Sequence, residues 1–116
     1  MANPVVHFEV MVKGDVEAVR KFYAEAFGWK FKMHDPMNYG IVDNGGAGIN
    51  GGIGEPMHGE GYQTFYVAVD DLQQALNRIE SLGGTCHMPP TDIPNGPKIA
   101  MFKDPAGSLI GLVKNM

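Results

Sequence analysis

Two residues on one short segment invite chemistry. His7 and Glu9 stand two apart in the run His7-Phe8-Glu9-Val10-Met11-Val12, and in an extended strand such residues share a face. An imidazole beside a carboxylate can hold or pass a proton and orient a ligand. For Glu9 the bland alternative is a carboxylate on a solvated sheet face, or one paired with His7. The functional alternative is a general base or ligand anchor whose pKa is raised by partial burial. His7 has its own plain reading as a satisfied buried histidine. Elsewhere, His34, His58 and His87 read as loop or strand-end residues, and the lone Cys86 as structural. One cysteine excludes an internal disulfide and any site built from several thiolates, and it fits a reducing cytoplasm.

The elements that position these residues come twice. His7-Phe8-Glu9-Val10-Met11-Val12 opens one half, and Thr64-Phe65-Tyr66-Val67-Ala68-Val69 opens another about 57 residues later. In each half the strand leads to an acidic N-cap, Asp15 or Asp71, whose carboxylate can accept from free backbone N–H groups. A helical stripe follows: Val16, Val19, Phe22, Tyr23, Ala26 and Phe27 in one, Leu72, Ala75, Leu76, Ile79 and Leu82 in the other. Gly28 and Gly83-Gly84 stop the helices. Beyond the first helix, Trp29 to Met33 reads as a strand, and Tyr39 to Val42 and Ala47 to Asn50 as a hairpin across Asp43-Asn44-Gly45-Gly46. Beyond the second lie a short strand at 85–88 and a proline-rich loop from Met88 to Pro97, either a plain connection or a cover for a binding cleft. Lys98 to Lys103 then pairs with Ser108 to Lys114 across Asp104-Pro105-Ala106-Gly107.

The expected fold is α+β: one domain over residues 1–116, with a module at about 4–53, a linker at 54–61 and a second module at about 62–114. Strand alternation sends Val6, Phe8, Val10, Phe65, Val67, Val69, Ile110 and Leu112 toward the helices. It leaves His7, Glu9, Met11, Thr64, Tyr66, Ala68, Leu109 and Val113 on the opposite, cleft-lining face. Gly48, Gly51 and Gly52 allow a bulge or a close backbone approach near Asn50. The net charge of −4 and the absence of any Lys/Arg run argue against nucleic acid. No apolar run is long enough for a membrane span.

The chain resembles the vicinal oxygen chelate superfamily, which includes glyoxalase I, extradiol dioxygenases, fosfomycin-resistance enzymes and bleomycin-binding proteins. The likeness rests on His7-Phe8-Glu9-Val10, on Arg20-Lys21-Phe22-Tyr23 through Phe27-Gly28-Trp29, and on Asp104-Pro105-Ala106-Gly107. It implies two tandem βαβββ modules whose mixed sheet curls around a cleft. It also implies a divalent metal held by His, Glu or Gln on the first and last strands of the modules, acting as a Lewis acid. Carried over residue by residue, those ligand positions fall on His7, Asn50, Thr64 and Gly111. Only His7 is a strong donor, whereas catalytic zinc sites normally use three protein ligands.

The expectation is therefore no metal and no other cofactor. The reading is a glyoxalase-like, metal-independent protein that binds a small molecule in its cleft, with Asn50, Thr64, Tyr66 and Gly111 as binding positions. The resemblance further implies a homodimer. Two alternatives stay open: an enzyme of lyase, isomerase or dioxygenase-like type using His7 and Glu9, possibly metal-assisted, and a resistance protein that sequesters a drug.

Overall fold

The computed structural model describes residues 2–34, 37–57 and 59–114. The chain runs β1 (Val5–Met11), α1 (Val16–Phe27), β2 (Lys30–His34), β3 (Tyr39–Asp43), β4 (Asn50–Gly54), β5 (Tyr62–Val69), α2 (Leu72–Ser81), β6 (Thr85–Asp92), β7 (Lys98–Lys103) and β8 (Leu109–Lys114). It is an α+β fold in which the order strand, helix, three strands occurs twice. The strand orders β2-β3-β4-β1 and β6-β7-β8-β5 match as well. In each set the first strand runs parallel to the last and the remaining pairs are antiparallel.

Two compact units result: one is His7–Gln63, and the other takes Thr64 onward together with the residues ahead of His7. In the first unit, Asp15 caps α1 by accepting from Ala18 N at 3.1 Å. Gly28, in the left-handed region at φ 73°, closes the helix by donating to Ala24 O. Glycine tolerates that backbone conformation without steric cost. The buried face of α1 is narrower than the predicted stripe. Val16 and Arg20 are buried, whereas Phe22 and Phe27 are 62% and 63% exposed. The aromatics still cluster: Tyr23 stacks on Trp29 with ring centroids 5.3 Å apart, and Phe8 meets Trp29 at 5.5 Å. Such pairs contribute roughly 1 kcal/mol each beyond the area they bury.

The first hairpin also differs from expectation. Its second strand is Asn50–Gly54, not 47–50, so residue 54 belongs to a strand and not to a linker. Gly45, Gly46 and Gly48 all take positive φ, and Asn44 Nδ2 donates to Ile49 O at 2.8 Å. A closed loop therefore fills the stretch that alternation alone reads as strand.

In the second unit Asp71 caps α2 through Gln74 N. Leu72 and Leu76 pack with Val69, Ala100 and Leu112 into one core, joined by Val67, Ala75, Ile79 and Phe102. On the other face of these strands Tyr66, Ala68 and Val113 form a second cluster. Two predicted positions change here. Val6 packs on that second cluster and not on the helix side, because Ala68 N donates to Pro4 O and draws in the segment ahead of it. Phe65, predicted to face the helices, is 39% exposed. The proline-rich stretch is strand as far as Asp92, paired to Lys98, with register shifts between Cys86, Met88 and Thr91. Prolines have no N–H to give, and irregular strands with one partner accommodate them. Only residues 93–97 remain as loop. Cys86 is exposed on that strand.

Candidate functional site

β1 places His7 and Glu9 on one face, and β4 lies beside it in parallel register, Asn50 opposite His7 and Gly52 opposite Glu9. On its far side β4 pairs with β3, Ile41 opposite Gly52. Strands lie about 4.8 Å apart, so β3 is roughly 10 Å from β1. A side chain from β3 bridges that distance only by lying across β4, and β4 is bare at the crossing. Any Cβ on Gly52 would coincide with the Tyr39 ring, and one on Gly54 would press on Tyr39 Cδ1. Two glycines thus make a slot for one tyrosine.

Through that slot Tyr39 reaches both candidate residues. Its hydroxyl donates to Glu9 Oε2 at 3.0 Å and meets His7 Nε2 at 2.8 Å. The His7 and Tyr39 rings are nearly parallel, 23° apart, with centroids separated by 6.3 Å. Glu9 is 8% exposed, which removes the solvated reading of this carboxylate. Burial lowers the His7 pKa below its ordinary 6.5, so the imidazole is neutral at pH 7. Tyr62, at the start of β5, is pushed up to about 12, first by burial and then by the Glu9 charge. It stays a neutral phenol at any physiological pH.

Behind Tyr39 stands a buried guanidinium. Arg20 Nη1 donates to Ile53 O at 3.0 Å and to Asn38 O at 3.3 Å, and Nη2 donates to Asn38 Oδ1 at 3.0 Å. Asn38 takes φ 50° and donates to Glu55 at 3.3 Å. Arg20 therefore fixes the residue just ahead of Tyr39. Sequence reasoning missed Tyr39, Arg20 and Tyr62. Tyr39 is 30 residues from Glu9, and the available signal was the pair of glycines at 52 and 54, needed only if something lies on them.

The other predicted positions are placed as follows. Asn50 is exposed at the start of β4. Thr64 is buried, and its hydroxyl donates to Leu109 O at 2.7 Å. Tyr66 is buried beside Ala68 and Val113, and it is the registered partner of Gly111 on the parallel strand β8. A Cβ at Gly111 would overlap the Tyr66 ring. His58 lies outside the described residues. Two surface hollows, of about 260 Å³ and 210 Å³, are lined by other residues, among them Lys13 and Glu55 in one and Asp71 and Lys98 in the other.

This donor set does not fit a divalent metal. His7 Nε2 is engaged by Tyr39, Thr64 is engaged by backbone, Asn50 offers an amide, and Gly111 lies under a ring. Among the described residues no three His, Cys, Asp or Glu side chains come together.

With two βαβββ units in place, comparison supplies the lineage. The sequence profile of the Glyoxalase/Bleomycin resistance protein/Dioxygenase superfamily matches residues 5–112. The chain belongs to that superfamily. It is 29% identical over 108 residues to a Mycobacterium tuberculosis protein named as a glyoxylase, CFP32, a match taking in 84% of this chain and 41% of the relative. The chain thus spans less than half the length of that curated relative. It is 24% identical over 129 residues to a Vibrio cholerae protein named as a lactoylglutathione lyase, covering 99% of this chain and 94% of the other. Methylmalonyl-CoA epimerase from Mycobacterium tuberculosis shares the superfamily fold at TM-score 0.70 and 16% identity, over 97% of this chain and 87% of that one. No helix among the described residues is long and apolar enough to cross a membrane.

Proposed function

We propose that this superfamily member binds a small molecule without a metal ion, using the face of β1 that carries His7 and Glu9, and that it acts as a cytoplasmic homodimer. The observation that carries the metal-independent reading is Tyr66 over Gly111: the position where the family resemblance expects a last-strand carboxylate is filled by a neighbour's ring. What recommends the β1 face is its make-up. A buried carboxylate, a neutral imidazole and two phenols stand together on a rigid sheet, few in number and fixed in orientation, as small-molecule sites require.

Metal analysis of protein purified without chelator tests the first half; the expected content is far below one Zn, Ni, Mn or Fe per chain. Stoichiometric metal that disappears in His7→Ala overturns it. Thermal shift against metabolites and cationic antibiotics tests binding, since a ligand at a hundred times its Kd adds about 2.7 kcal/mol of stability. An antibiotic hit recovered unchanged would place the protein among drug-sequestering members. Light scattering reads the dimer.

A second reading is favoured by the His7–Tyr39–Glu9 contacts: an acid–base enzyme in which Glu9 takes or gives a proton on the bound molecule. Relatives with glyoxylase and lyase names agree with this class. Glu9→Gln would then abolish turnover of the ligand found by thermal shift while leaving its Kd within about threefold. Undiminished turnover by the variant removes this reading.

A further inference from the structure

We propose that Tyr39 is the relay residue of this site: its phenol joins His7 and Glu9 into one path along which a proton passes between the half-buried imidazole and the buried carboxylate. The inference rests on the metal-independent reading above and adds to it a residue and a direction.

The direction follows from counting hydrogens. A phenol has one proton to donate, and Tyr39 gives it to Glu9 Oε2. The 2.8 Å contact with His7 must then run the other way, with Nε2–H donating to Tyr39 Oη. When His7 is an imidazolium, both of its ring nitrogens carry protons. Moving each proton one bond along the chain breaks Nε2–H and the original O–H of Tyr39. It forms a new O–H on Tyr39 and an Oε2–H on Glu9. The imidazolium ends as a neutral ring protonated at Nδ1, the carboxylate ends as a carboxylic acid, and Tyr39 remains a neutral phenol. Charge and atoms balance with no outside reagent. Reversing both shifts returns the proton to His7. Glu9 is thereby loaded and unloaded while only 8% exposed, which a carboxylate that took part in repeated proton transfer would need.

The surroundings are built for this phenol. Gly52 and Gly54 leave room for its ring. Arg20 holds Asn38, the residue before it, by two hydrogen bonds. Tyr62 responds to the Glu9 charge but keeps its own proton.

The test is side-chain ¹⁵N NMR on the whole, metal-free chain, with the His7 signals identified by their loss in His7→Gln. In the unmodified protein near pH 8, His7 is expected as the Nε2–H tautomer. Glu9→Gln is expected to lower the Nε2–H fraction of His7 at that pH, because the Tyr39 proton is no longer committed to a carboxylate, and in a Tyr39→Phe background that response is expected to fall by half or more. Tyr39→Phe keeps the ring in its slot and removes only the hydroxyl. An Nδ1–H tautomer in the unmodified protein overturns the relay, and this holds even if the variant fails to fold. An equal response to Glu9→Gln with and without the Tyr39 hydroxyl overturns it too. Metal content is measured on the same sample, so a metalloprotein would defeat the reading of function without being mistaken for failure of the relay.

Discussion

Tyr66 lies across Gly111, its registered partner on the neighbouring parallel strand, and occupies the space that any side chain there would need. The loss of a donor at this position is therefore not an empty place waiting for a ligand. It is a packed contact, and Tyr66 is part of an apolar cluster with Ala68 and Val113. Overpacking a core position typically costs about 1–3 kcal/mol. Gly111→Ala is expected to lose about that much in urea unfolding, and Gly111→Glu more. A Tyr66→Ala/Gly111→Ala pair should destabilise less than the sum of its parts, because the first change makes room for the second.

Arg20 offers a second prediction. Its guanidinium is buried against two backbone carbonyls and the Asn38 amide oxygen. Truncation to Ala strips several acceptors of their donor and opens space over Gly40, where Arg20 Cδ would lie 2.6 Å from an added Cβ. The expected cost is about 2–4 kcal/mol by denaturant titration. Arg20→Lys should not restore it, because an ammonium lacks the planar fork that serves Ile53 and Asn38 together.

The two shifted groups set opposite flanks of the pH–stability curve. His7 has a folded pKa below the unfolded 6.5, so below about pH 6.5 the unfolded chain binds the proton more readily and stability falls on acidification until the folded pKa is passed. Tyr62 is the mirror case: its folded pKa is about 12 against 10 unfolded. Between those values the unfolded chain releases the proton first, and stability falls as pH rises. Thermal melts across pH should lose the acid-side component in His7→Gln and the alkaline component in Tyr62→Phe. A Tyr62 absorbance titration with its midpoint near 10 would remove the second claim.

The helix caps test the equivalence of the two units. Asp15 and Asp71 each accept from the backbone N–H three residues on, at 3.1 Å and 3.0 Å. Replacement of either by Ala is expected to cost about 1 kcal/mol, and the double variant about the sum, since the caps sit in different units. A null effect at one and a large effect at the other would show that the repeat is architectural but not energetic.

These caps also show what the sequence makes legible. Asp15, Gly28 and Asp71 act locally, through backbone groups within four residues, and so their roles could be read without a structure. The alternation that grouped Val67 and Val69 apart from Tyr66 and Ala68 was equally local. The misplaced elements involve glycine and proline. Ala47 to Asn50 alternates like a strand, yet Gly48 at positive φ, after Gly45 and Gly46, keeps the chain in a loop up to Asn50; Pro89 and Pro90 resemble a loop, yet they lie within β6, across a shift of register. The site was half visible. His7 and Glu9 share a strand and could be paired by eye, but Tyr39 enters from two strands away and Arg20 from a helix, and no period in the chain connects them.

The strand β4 gives the site its last consequence. From Gly51 to Gly54 it presents almost no side chains of its own, and Phe8 and Tyr39 lie over its bare backbone. A redesign of the proposed binding face would find nothing to exchange between Gly51 and Gly54, because Ile53 is fully buried and every single replacement at Gly51, Gly52 or Gly54 evicts an aromatic ring. Only Asn50, exposed at the start of the strand, is open to change. Any change in the chemistry of that proposed face has to travel through Asn50, the rings themselves and the residues that rim them, leaving the glycine-rich backbone beneath as the part of the fold least free to drift.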